Sequence, residues 1–143
     1  MSNLDFFNIA KDKDSQIPYA DGGVKAGFPS PAQDYMDQTI DFNKVLISHK
    51  ATTFCTRVSG DSMIDANVFD GDYLIVDRSL EPHNGDMAVC FIDGEFTLKF
   101  IELANNQLWL RPANPNYPKI KVSEESDFIV WGVVTYIIHK ARD

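Results

Sequence analysis

Basic residues are in short supply in this sequence: 13 lysines and arginines stand against 21 aspartates and glutamates, a net charge of −8. A protein that grips nucleic acid neutralises phosphates with a basic face. No stretch of this chain supplies one, and the C-terminal HKARD is short and of mixed sign. Direct nucleic-acid binding is therefore not expected, although a DNA-binding protein partner is compatible with this charge. Long apolar runs are also missing, none approaching the roughly 20 residues that a membrane-spanning helix needs. The opening MSNLDFFNIAKDKDSQ lacks the basic start and apolar core of a secretory signal. No membrane association and a cytoplasmic location are the expectations. Cysteine is limited to Cys55 and Cys90, set among apolar residues in FCTRV and AVCFI, which reads as two buried thiols in a reducing compartment. His49, His83 and His139 lie far apart and show no ligand spacing with each other or with cysteine, so neither a metal site nor a cofactor is expected. GxSxG, HExxH and phosphate-binding glycine loops are absent as well.

What is present is an ordinary globular composition, with 44% hydrophobic and 24% charged residues over a length of 143, enough for one buried core. Residues 1–29 stand apart, with KDKDSQ, the turn-rich DGG and no sustained periodicity, and read as a mostly unpaired, flexible arm. SPAQDYMDQ then places Ser30 as an N-cap, Pro31 at the first helical position and Gln33 three residues after the cap, predicting a short helix over about 31–38. Asp41 caps a second short turn through FNKVLIS.

From residue 52 onward the pattern is one of strands. ATTFCTRV, DYLIVD, DMAVCFID, EFTLKFIEL, QLWLRP, YPKIKV and FIVWGVVTYIIHK are divided by Gly, Pro, Asn and Asp clusters. Asp93-Gly94 reads as a tight hairpin turn, because that dipeptide tolerates positive φ. The expected fold is mainly β: a compact antiparallel barrel-like or sandwich domain over 30–143 with a few short helices.

Two elements carry chemistry. In VSGDSMID, Gly60 permits a sharp bend after a strand, and Ser62 stands at the start of the following turn. Unpaired N–H groups there can face an oxyanion, while the ordinary use of such a turn is a serine that caps a helix. In EFTLKFI, Phe96, Leu98 and Phe100 share one strand face, and Thr97 and Lys99 share the other. Lys99 on that face ordinarily points to water. If the face is covered, burial disfavours the ammonium and leaves an amine able to take a serine proton. Asp61, Asp65, Asp70, Asp72 and Asp77 read as turn and cap residues.

The run SGDSMID, the later DGEFTLK and the upstream AGFPSPAQDY together resemble the LexA/UmuD family of self-cleaving Ser–Lys peptidases, over about residues 24–140. DGDYLIVD and LRPANPNYP are similar to further segments of that family. The resemblance implies Ser62 as nucleophile, Lys99 as its general base, the Ser62 or Met63 N–H as oxyanion donor, and Ala26–Gly27 in KAGFPSP as the bond that is cut. It further implies a homodimeric accessory subunit of an error-prone, UmuC-like Y-family polymerase in the SOS response to DNA damage. A RecA–single-stranded DNA filament would promote the cut. An acidic chain with a short arm fits this branch better than a repressor with a helix-turn-helix domain or an anchored signal peptidase.

Two other classes stay open on the sequence: a phage or mobile-element regulator built on the same domain, and a non-enzymatic dimeric interaction module. A last motif lies in the arm. Asn3-Leu4-Asp5-Phe6-Phe7 resembles the short Gln-Leu-x-Leu-Phe peptide by which replication proteins dock on the sliding clamp, with Leu4, Phe6 and Phe7 as the contacting residues. The competing reading is a hydrophobic segment that folds back onto the domain.

Overall fold

The computed structural model describes residues 3–9, 16–19 and 38–142. The chain forms two units, one of Ala10–Ser48 and one of Met1–Ile9 with His49–Asp143. In the smaller unit, β2 (Gln16–Tyr19) pairs antiparallel with β3 (Gln38–Asp41), and α1 (Phe42–Leu46) follows directly. Asp41 is the N-cap of α1, its carboxylate accepting from the Asn43 N–H at 3.0 Å, as its place before FNKVLIS predicts. The helix expected over about 31–38 falls outside the described residues except for Gln38, which opens β3.

The larger unit is one eight-stranded antiparallel sheet in the order β1-β4-β5-β10-β6-β7-β8-β9. Its strands are β1 (Asn3–Phe7), β4 (Thr53–Ser59), β5 (Tyr73–Asp77), β6 (Met87–Ile92), β7 (Glu95–Ala104), β8 (Gln107–Arg111), β9 (Ile120–Val122) and β10 (Phe128–Ile138). All seven strand segments read from the sequence after residue 52 are present. The mainly β expectation therefore holds, in the form of a single open sheet. The sheet curls far enough for Phe6 of β1 to meet Phe96 of β7, ring centroids 5.0 Å apart. The reading of residues 1–29 as mostly unpaired does not hold for Asn3–Phe7 and Gln16–Tyr19, whose backbones are strands with partners far along the chain.

Local chemistry explains the turns. Asp93 and Gly94 take φ of 50° and 87° between β6 and β7, and Asn105 and Asn106 take 53° and 61° between β7 and β8. Positive φ at two successive positions matches the right-handed twist of hairpin strands, and Asp, Asn and Gly tolerate it best.

The curl follows from β10, eleven residues long and lying between β5 and β6, with register shifts at Val130/Gly132 and Val134/Tyr136. Bulges of this kind bend a strand. A Cβ at Gly132 would sit 2.6 Å from Val76 Cγ1, so the bend needs glycine there.

Two apolar clusters lie on opposite faces of β6 and β7. One contains Val58, Met63, Leu74, Val76, Val89 and Leu98; the other contains Ala88, Cys90, Ile101 and Leu110. The middle of β7 is therefore buried on both faces, unlike a strand with one wet side.

Candidate active site

Ser62 lies in the turn that follows β4. Gly60, at φ 100°, reverses the chain there and donates its N–H to Asp70 Oδ1 at 2.9 Å. A single 3-10 turn over Ile64–Ala66 comes next, and Met63 beside the serine is 1% exposed in the first core cluster. Burying Met63 anchors the turn from within, the order of 2 kcal/mol for such a side chain.

A second segment staples the turn from outside. The Ala113 N–H donates to the Ser62 carbonyl at 2.9 Å, and the Asp65 N–H donates to the Ala113 carbonyl at 2.7 Å. Asn114 Nδ2 donates to the Asp61 carbonyl at 2.8 Å, and the Tyr117 hydroxyl donates to Asp61 Oδ1 at 2.7 Å. That last bond raises the Tyr117 hydroxyl pKa. Ser62 is fully buried. The Met63 N–H has no backbone carbonyl partner among the described residues.

Lys99 sits mid-strand in β7, opposite Ala88, on the face that carries Cys90 and Thr97. This face is covered: Lys99 is only 2% exposed. Its Nζ donates to Thr97 Oγ1 at 2.7 Å and to the Leu98 carbonyl at 3.1 Å. Among the described residues no carboxylate lies within ion-pair distance of it. Burial lowers the Lys99 pKa and outweighs the opposing effect of the neighbouring Cys90. The Cys90 thiol is itself pushed up to about 12 by burial, so it is neutral and provides no lasting counter-charge. An amine without water or an anion loses its proton readily.

Met63, next to Ser62, and Leu98, next to Lys99, share the first core cluster, while the Lys99 side chain turns to the opposite face of β7, toward Ala88 and Cys90. Phe100 pairs with Arg111 across β7 and β8, and Ala113 two residues later holds the Ser62 carbonyl. Beside this staple a cleft of about 610 Å³ is lined by Asp65, Phe100, Arg111, Asn114, Tyr117 and Lys119, among others; Ser62 and Lys99 do not line it.

The remaining predicted residues lie elsewhere. Ala26 and Gly27 fall outside the described residues. Leu4 and Phe6 pack on the first core cluster, while Phe7 is 43% exposed. Asn114 and Tyr117 were not singled out by sequence reading beyond the resemblance of LRPANPNYP to a family segment. A hydrogen bond spanning more than fifty residues leaves no local pattern. Of the aspartates read as turn and cap residues, Asp70 accepts from the Gly60 N–H ahead of Ser62, Asp72 accepts from the Phe69 N–H, and Asp77 takes His49 Nδ1 at 2.7 Å. Both cysteines are free, Cys90 buried and Cys55 half-buried.

Comparison with known proteins agrees with the motifs. A family model described as Peptidase S24-like matches residues 18–135. Protein ImpA of Salmonella typhimurium is 43% identical over 119 residues, covering 83% of this chain and 81% of that protein. Protein MucA of Escherichia coli is 39% identical over 121 residues, covering 84% and 82%. The LexA repressor of Stenotrophomonas maltophilia is 36% identical over 121 residues, covering 85% of this chain and 57% of its own. With a buried serine turn, a desolvated lysine and a match across most of its length, the chain belongs to the Peptidase S24-like family that includes the LexA and UmuD proteins.

Proposed function

We propose that this protein is a serine peptidase that cuts its own chain between Ala26 and Gly27. Ser62 Oγ attacks the Ala26 carbonyl as the neutral Lys99 amine takes its proton. The Ser62 and Met63 N–H groups stabilise the oxyanion, and Lys99 returns the proton to the departing Gly27 amine. Water then attacks the acyl-serine, with the same lysine as base, and frees the Ala26 carboxylate. Gly27 admits close backbone approach, and Pro29 and Pro31 keep the following segment extended.

The observation that carries this reading is the burial of Lys99 with no anionic partner among the described residues. A structural lysine gains nothing from that environment, whereas a general base requires it. On this reading residues 1–29 are the arm that carries the cleavage site and 30–143 the peptidase domain. The shortened product, as a homodimer, serves as accessory subunit of a UmuC-like translesion polymerase in the cytoplasm, and a RecA–single-stranded DNA filament triggers its formation. The family membership supports that setting.

Incubation of the purified chain at alkaline pH, or with an activated RecA filament, should yield a fragment whose N-terminal residue is Gly27. Ser62→Ala and Lys99→Ala should each slow the cut by at least about a thousandfold. N-terminal sequencing of the product decides. Cutting at the same bond by the Ser62→Ala chain overturns the assignment.

A further inference from the structure

The outer edge of β4 is occupied by a piece of the chain's own N-terminus. Leu4 pairs with Val58, Asp5 with Arg57 and Phe6 with Thr56, while the other edge of β4 is taken by β5. The Phe6 ring stands edge-on to Trp131, centroids 4.9 Å apart, and 5.0 Å from Phe96. Leu4 packs on the same core cluster, and Asp5 on the opposite face receives a hydrogen bond from Arg57 at 2.9 Å. A strand edge, an aromatic seat for one side chain, an apolar seat two residues earlier and a cation between them form a recognition surface for an apolar–acidic–apolar strand.

The position of the proposed cut gives this arrangement a consequence. Ala26–Gly27 lies in sequence after β1 and before every other strand of this sheet. Hydrolysis there leaves β1 on one fragment and its partner β4, with the other six strands of the sheet, on the other. We propose that the β4 edge is a peptide-binding site whose resident ligand is residues 3–7, and that self-cleavage converts this ligand from tethered to dissociable.

A tether holds a segment at an effective concentration on the order of millimolar. A five-residue strand that is well seated under those conditions leaves when its concentration falls to that of the protein. Departure uncovers Phe96, Trp131 and a row of unpaired backbone groups, the features by which a sheet edge accepts another strand. The same pairing accounts for the clamp-like motif: its Leu4 and Phe6 are turned into the seat while the chain is intact. The trigger rests on the proposed cleavage; the site itself does not.

The test uses the full chain with Ser62→Ala, to keep it uncut, and Trp109→Phe, which leaves Trp131 as the one tryptophan. Resident β1 is unseated by Leu4→Ser with Phe6→Ser, or by Phe6→Ala alone where the double variant does not fold. Titration with a synthetic peptide of residues 1–9 should give a saturable change in Trp131 emission. Binding should be at least tenfold weaker to the chain with intact β1, and lost when the peptide carries Phe6→Ala. No saturable change in the unseated chain, or equal binding by both chains, overturns the site. In a second arm, the Trp109→Phe chain with Ser62 retained should gain peptide binding in step with the fraction cut. Cutting without any gain overturns the trigger, and a chain that never cuts overturns the cleavage reading while the first titration still decides the site.

Discussion

If Lys99 is the base, one titration must appear in two independent measurements. Only the neutral amine accepts the Ser62 proton, so the self-cleavage rate follows the neutral fraction. Below the Lys99 pKa that fraction falls tenfold per pH unit, and a plot of log rate against pH has unit slope. Because burial holds that pKa below 10.5, the curve levels off before a free lysine would titrate. The same proton affects folding. Between the lowered folded value and the unfolded value of about 10.4, the unfolded chain binds a proton that the native chain does not, so stability rises with pH across this window. Each pKa unit of displacement corresponds to about 1.4 kcal/mol.

The Cys90 thiol beside Lys99 stays neutral in the native chain through this range, since its own pKa is about 12, and adds no second step to the cleavage profile. In the unfolded chain it ionises above about 8.5, which lowers stability as pH rises there, in the parent and in the Lys99→Met chain alike. The assays are single-turnover cleavage of the native chain and urea unfolding of the Ser62→Ala chain, each over pH 6 to about 10.5. Replacement of the buried amine by Lys99→Met should remove the rise in stability over that window. It should also make the protein more stable than its parent at the acidic end, where the parent carries a buried charge. A cleavage rate indifferent to pH, or a Lys99→Met chain with an unchanged stability profile, would refute the reasoning.

Two further outcomes follow from the geometry. Burial by itself would raise the Asp77 carboxyl, but hydrogen bonds from His49, from the Ser79 N–H and hydroxyl and from Thr52 outweigh it and hold it at about 2. Stability from this group is thus complete above pH about 4 and lost as pH falls through 2; Asp77→Asn should cost at most about 2 kcal/mol at pH 7 and little at pH 2, measured by urea unfolding. Asn114→Ala removes the clasp on the Asp61 carbonyl and the cap on the Asn116 N–H. It should lower the plateau rate of self-cleavage by on the order of tenfold through misplacement of the Ser62 turn. The pH midpoint should stay where it was, because Lys99 is untouched; a shifted midpoint would count against a positioning role.

What could be read from the residues was what short range dictates. Alternation in EFTLKFI, the positive-φ pair Asp93-Gly94 and the carboxylate of Asp41 before FNKVLIS act within a few positions, and the strand, turn and cap they imply are present. The bend at Gly60 and the alternation around Lys99 allowed Ser62 and Lys99 as a pair, and the resemblance of SGDSM and GEFTLK to family motifs is what singled them out. Tertiary structure had to decide whether the lysine is wet, because a period of two assigns a side chain to a face and is silent about what covers that face. The second core cluster covers it with side chains from β6, β8, β9 and β10. It also decided that Asn3–Phe7 completes a sheet edge and that residues 113–117 clasp the serine turn. Such contacts join positions some fifty residues apart, and their free energy exists only after the chain has collapsed, so no local pattern encodes them.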